Sequence, residues 1–310
     1  MQSGLQTDVA FFGPLEANLL LKVDSLPGRI GGKPAWETWH TIGADAAIAA
    51  QRSAELGLEP MLVCNPVGDD PFGQKVIETL RQSGLSQLPE SRSDRDTPLT
   101  VTFCFPDGAH SCLAYVAKDA TDLLEVDLSP ILSAKLLYVD VYPHLKAALH
   151  RVLAFASQHH VPLFLNFGLF CPLTLSEECQ IVSAFDLDIS ALQISCDHVE
   201  NANADDAYNA IRQFSPGVSL VTLGESGSII RHEGEIAVIE ANTIKSLYTC
   251  GSGAAYSAGF IAAFFFRKLT LVESGRFASA VAGLHCIHRG ARPVTSADVA
   301  AMLAESIEPS

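Results

Sequence analysis

Apolar residues in this chain fall into short runs separated by turns bearing glycine, proline and polar residues, and the period of the runs changes along its length. Asp8–Gly13 and Leu19–Val23 read as short strands, the second broken at Leu26-Pro27-Gly28. Ala44–Leu56 is an alanine-rich helix ended by Gly57, Pro60–Cys64 a buried strand, and Phe72–Ser83 an amphipathic helix ended by Gly84. Leu99–Phe105 and Ser111–Val116 alternate as a hairpin across Pro106-Asp107-Gly108. Strands Leu136–Asp140 and Pro162–Asn166 flank a helix over His144–Gln158. Leu192–Ser195, Val218–Leu223, Ser228–His232 and Glu235–Ile239 follow as strands, then a long helix from Ala254 and a last helix over Gly275–His288. From Leu136 onward the alternation predicts a parallel sheet covered on both faces. The extra strands near 19–42 and 99–116 fall outside it and predict a small separate sheet, a lid over the edge where ligands bind in open α/β folds.

Length and composition narrow this further. The 310 residues suit one large α/β domain spanning 1–310 with the small sheet as an appendage. A hydrophobic content of 48% and a mean hydropathy of +0.23 exclude a disordered chain. The formal charge of −15, spread along the chain, disfavours nucleic acid or an anionic membrane as partner. None of the eight cysteines forms a C-x-x-C pair and no signal peptide opens the sequence, so a soluble protein of the reducing cytoplasm is expected. The uncharged run Ser246–Phe266 approaches membrane-spanning length, but a Gly-x-Gly turn occupies its first half, so it reads as a core helix.

The chemistry concentrates in Thr249-Cys250-Gly251-Ser252-Gly253-Ala254. A glycine turn feeding a helix N-terminus leaves N–H groups pointing outward, a ready cradle for an anion such as phosphate. Three other segments accompany it: Asn65–Gly73, with its Gly-Asp-Asp-Pro-Phe-Gly; Val221–Gly227, with Thr222, Gly224 and Gly227; and Phe277–Ala291, ending Arg-Gly-Ala. In this order and spacing, over roughly residues 8 to 304, they resemble the ribokinase-like (PfkB) carbohydrate kinases. The resemblance implies a three-layer α/β sandwich with a mostly parallel central sheet and a small β lid, a homodimer paired through the lid strands, and ATP or ADP with magnesium as cofactor. It places the nucleotide and anion hole at Gly251, Ser252, Gly253, Thr222, Gly224 and Gly227, and a small-molecule sugar or nucleoside against Asn18, Gly43 and Asp45.

The same resemblance exposes departures. The family's catalytic Asp, which takes the proton of the attacking hydroxyl, is Ala254 here, and no residue is assigned as catalytic. Asn18 stands for a substrate-binding Asp, the helix after Gly43 lacks the family's Asn, and Asn166 replaces an Asp. Ser195-Cys196-Asp197-His198 replaces a metal-positioning Asn-x-x-Glu, and Tyr248 an Asp that helps hold a monovalent cation. These replacements point to a degenerate kinase (a pseudokinase) with a regulatory, ligand-binding or scaffolding role. An active ATP-dependent carbohydrate or nucleoside kinase using a non-standard base, and an interaction protein with a closed cleft, stand as alternatives.

Several side chains admit bland readings, which are favoured. Asp45 reads as a charge capping its helix, His285 and His288 as a packed or surface pair and not a metal site, and His198 as a surface residue. Cys250 reads as a small filler in the turn; as a reactive thiol it would need a lowered pKa there. Ser252 and Ser257 lack a partner to make either a base.

Overall fold

A computed structural model describes residues 7–114, 122–169, 172–197, 204–244 and 248–305. The chain begins with β1 (Thr7–Phe12), β2 (Glu16–Lys22) and β3 (Glu37–Gly43), then α1 (Asp45–Glu55), β4 (Pro60–Val63), the two-residue β5 (Val67–Gly68) and α2 (Pro71–Gln82). After β6 (Ser91–Arg92), the hairpin β7 (Leu99–Cys104) and β8 (His110–Ala114) leads to β9 (Ala134–Asp140), α3 (Lys146–His159), β10 (Leu163–Leu169), α4 (Pro172–Ser183), β11 (Ile189–Ser195) and α5 (Ala204–Ile211). Strands β12 (Val218–Thr222), β13 (Ser228–His232) and β14 (Glu235–Ile239) precede α6 (Ser252–Phe260), α7 (Leu271–Ile287) and α8 (Ser296–Glu305).

The large sheet runs β14-β13-β12-β11-β10-β9-β1-β4, parallel from β4 to β12. Its last two strands are antiparallel, because β12, β13 and β14 follow one another through short turns with no crossover helix. The small sheet, β3-β2-β7-β8, is built from the segments expected for the lid.

Successive β1 residues point to opposite faces. Val9 and Phe11 join a core with Tyr138, Phe164, α1 and α6, whereas Ala10 and Phe12 join one with Leu137, Val139 and α3. Apolar runs without alternation therefore arise because both faces are buried. Small residues let the helices of the first face pack closely: a Cβ on Gly259 of α6 would lie 2.8 Å from the Ala278 Cα of α7. The helix from Ser252 continues past Phe260 as π-helix over Ile261–Phe266. α7 begins earlier than the apolar pattern indicates, at a capping box in which the side chains of Thr270 and Glu273 satisfy each other's backbone amides. Among the described residues no helix is long and apolar enough to cross a membrane.

Candidate active site

The parallel strands end on one edge of the large sheet, and the side chains gathered there divide into two groups on either side of the α6 N-terminus. Gly251 precedes α6 with φ +79°, a left-handed conformation that glycine adopts without strain, and no side chain caps the helix. Helix geometry leaves the first amides, such as those of Gly253 and Ala254, free for a ligand. The turn is held from below. The Gly253 carbonyl accepts hydrogen bonds from Gln193 Nε2 (3.0 Å) and Ser257 Oγ (3.1 Å), and the Cys250 carbonyl lies 2.9 Å from His285 Nε2. From above, Thr249 Oγ1 donates to the Gly108 carbonyl (2.9 Å) and lies 3.0 Å from His110 Nδ1. The β7–β8 turn therefore closes over the amides.

On one side of this turn lies a cavity of about 460 Å3. Ser252, Gly253, Thr222, Gly224 and Gly227 line it, with Ala282, Gly283 and Cys286 of α7 forming another wall. Gly251 is set behind them; a Cβ there would lie 2.7 Å from Ile48 Cδ1. Among the described residues, Thr222 Oγ1 is buried without a hydrogen-bond partner. A buried hydroxyl left unsatisfied costs about 1–3 kcal/mol, and a polar ligand in the cavity would relieve that cost. Asp107, Asp197 and Glu225 also line the cavity; the Asp197 carboxylate packs directly against Gly224.

On the other side sit Asn18, Gly43 and Asp45, none of them in that cavity's wall. Asn18 is buried, its Oδ1 accepting from Thr102 Oγ1 (2.9 Å) and its Nδ2 facing Cys250 Sγ at 3.9 Å. Gly43 pairs with Glu16, whose carboxylate is bound by the Thr100 hydroxyl. Asp45 occupies the first turn of α1, and the amide after it is held by a residue that the sequence did not single out: Asp140, whose Oδ2 accepts the Ala46 amide at 2.7 Å. The Asn166 side-chain amide bridges the two acids, 3.1 Å from Asp45 Oδ2 and 3.1 Å from Asp140 Oδ1. The Tyr142 hydroxyl also bonds Asp45.

Burial raises the pKa of Asp45, and burial followed by the Asp45 charge raises that of Asp140 well above the carboxylate range. Burial likewise raises that of Glu16. A raised folded-state pKa means that the stability it contributes is complete below the unfolded value near pH 4 and is lost as pH rises through the folded value. Unfolding free energy should therefore decline as pH rises above the unfolded value near 4, and Asp45→Asn should flatten that decline. Chemical denaturation at several pH values checks this; a slope unchanged by Asp45→Asn would show the acids to be uncoupled.

The remaining candidates settle in the structure. Burial pushes the Cys250 thiol up to about 12, so it is a buried filler and not a nucleophile. Tyr248 is 2% exposed and packs its ring 5.5 Å from that of His285. His285 and His288 do not converge: His285 bonds Arg52 and the Cys250 carbonyl, and His288 Nδ1 lies 2.9 Å from the Pro293 carbonyl. Among the described residues no group of three or more His, Cys, Asp or Glu could hold a metal ion. His198 lies outside the described residues.

A mostly parallel sheet with a small second sheet, and an amide turn opening the helix between a polar cavity and a buried polar cluster, define a ribokinase-like α/β protein. The chain belongs to the pfkB family of carbohydrate kinases, whose model it matches over residues 6–297. Among solved structures it is similar to the Methanocaldococcus jannaschii nucleoside kinase, with 18% identity and a TM-score of 0.72, covering 96% of this chain and 98% of that one. It is similar also to the Xylella fastidiosa fructokinase with bound ATP (17%, TM-score 0.73, 98% and 100% covered). The Arabidopsis thaliana ribokinase complexed with ribose and ATP gives 18% identity and a TM-score of 0.69, with 96% and 99% covered. At these identities the likeness establishes the fold. No curated protein sequence matches significantly.

Proposed function

We propose that this protein binds a nucleotide such as ADP or ATP, with magnesium carried on its phosphates, and transfers phosphate poorly or not at all. The observation that carries this reading is Ala254, 1% exposed at the first turn of α6, where a methyl group can accept no proton. The binding half rests on the open cavity beside the turn and the unsatisfied Thr222 hydroxyl. Two of the three carboxylates of that cavity are poor substitutes for a base: Asp107 accepts the Ala109 amide at 3.0 Å and Asp197 is packed on Gly224, which leaves Glu225 as the third. Loss of a positioned general base costs about 10²–10⁴ in rate. On this reading the protein is a pseudokinase of the cytoplasm with a ligand-binding, regulatory or scaffolding role. It forms a homodimer through the small sheet, whose edge strand β8 leaves Leu113 exposed.

One feature favours a working sugar or nucleoside kinase instead. Asp45 and Asp140 are carboxyls with raised pKa values on the far side of the turn, and a carboxylate whose pKa is raised is a stronger base than a free one. Against it, both Asp140 oxygens are already bound by amides.

Thermal unfolding with ADP and ATP, with and without magnesium, tests binding; a ligand at a hundred times its Kd adds about 2.7 kcal/mol. Coupled assays with ribose, fructose and adenosine should give turnover far below the roughly 1–10³ s⁻¹ of ordinary enzymes. Ordinary turnover would overturn the impaired-kinase reading, and absence of any nucleotide shift would overturn binding.

A further inference from the structure

We propose that Arg52 and His285 form a buried relay that positions the anion-binding turn, and that His285 acts there as a neutral donor to the Cys250 carbonyl. The site it serves is that of the nucleotide-binding reading above.

Arg52 of α1 is completely buried, an uncommon state for arginine. Its Nε lies 3.1 Å from His285 Nδ1, its Nη1 2.9 Å from the Arg292 carbonyl and 2.5 Å from Glu55 Oε2, and its Nη2 2.9 Å from the Gly290 carbonyl. The guanidinium thereby ties α1 to the loop that follows α7. Arginine has no acceptor, so Nε can only donate, and His285 Nδ1 must be the bare nitrogen. The proton then sits on Nε2, which faces the Cys250 carbonyl at 2.9 Å. Burial first, and the Arg52 charge second, lower the His285 pKa to about 3, which keeps this one tautomer through the neutral range.

The bond falls where the turn is most in need of support. Cys250 immediately precedes Gly251, the left-handed residue that aims the following amides, and the imidazole packs against Gly251 itself, 3.0 Å from where a Cβ would be. Below the turn, Gln193 and Ser257 hold Gly253. His285 supplies the matching hold on the other side of Gly251, so the amides are fixed from both ends. His285 touches no ligand in this scheme; it is a positioning residue.

The test compares His285→Gln, whose amide can still donate to the carbonyl, with His285→Leu, which cannot. In ligand-free protein, amides 252–255 should exchange with deuterium about tenfold faster in His285→Leu, with His285→Gln near wild type, even where both variants melt at the same lower temperature. ADP should bind about tenfold more weakly to His285→Leu than to wild type, while adenosine, which lacks phosphate, is unaffected. Unchanged exchange in His285→Leu, or equal losses in the two variants, would overturn the relay. Nitrogen-15 NMR of wild-type histidines provides an arm that needs no variant: His285 should show a protonated Nε2 and a bare Nδ1 from pH 6 to 8, and the opposite tautomer would also overturn it. The exchange and NMR arms use no ligand. A chain that binds no nucleotide would therefore defeat the functional reading alone.

Discussion

Ala254→Asp should raise magnesium-dependent turnover of ATP by about 10²–10⁴-fold over the wild-type chain, with water or an added alcohol as acceptor. The position is the third residue of α6 after its Gly251 cap, where the helix dipole favours a carboxylate by about 0.3–1 kcal/mol. Ala254 packs in the core and does not line the cavity, whereas its neighbour Gly253 does, with Gln193 Nε2 the nearest atom to a Cβ there, at 3.8 Å. Ala254 itself is buried, so the new carboxylate gains solvation only by turning toward the turn and its ligand. Ala254→Asn is the control, with equal size and no basicity. A rise with Asp and none with Asn, measured by phosphate release and by coupled assay with ribose, fructose and adenosine, identifies the missing base as the chief defect. No rise with Asp, in a variant that still binds ADP, would show that the acceptor side or the metal-positioning side has also changed beyond use.

The sequence made the scaffold legible because its signals are local. Gly57 and Gly84 end helices wherever they occur, and both take positive φ here. Pro106-Asp107-Gly108 folds a hairpin with the Asp107 side chain bonding the Ala109 amide two residues on. The glycines around α6 and β12 were readable for the same reason. The polar interior was not. Asp140 ends an apolar strand as any turn-forming Asp might, and its partners Ala46 and Asn166 lie 94 and 26 residues away. Asp45 was legible as an acid in a first turn, but the choice between capping and pairing was made by another strand. Arg52 carries no local sign of its role, because its contacts beyond Glu55 are more than 230 residues distant. One missed element did carry a local signal: Thr295 and Asp298 bond each other's amides at the start of α8, a capping pair visible in the sequence.

Arg52→Met should destabilise the fold by roughly 3–5 kcal/mol, because it strands a buried carboxylate. Arg52 and Glu55 are 0% and 2% exposed, so water cannot replace the lost partner. Burial already raises the Glu55 pKa, and Arg52 is the largest influence holding it down. Without the guanidinium that pKa must climb further. A carboxyl with a raised folded pKa contributes stability below its unfolded value near 4.3 and loses it as pH rises through the folded value, so the deficit of Arg52→Met should shrink from pH 8 to pH 5. The double variant Arg52→Met with Glu55→Leu removes the stranded charge. Replacing a whole buried pair with apolar residues is often neutral or better. Recovery here should nevertheless be partial. The carbonyls of Gly290 and Arg292 and the Nδ1 of His285 lose their donor in both variants, and each buried acceptor left unmade costs about 1–3 kcal/mol. Denaturant unfolding of the single and double variants at both pH values separates these terms. A loss below about 1 kcal/mol in the single variant would mean that the pair is no stronger than a surface ion pair. Full recovery in the double variant would mean that the guanidinium's role ends at Glu55, so that the carbonyls it reaches across the fold contribute nothing to holding α1 against the loop after α7.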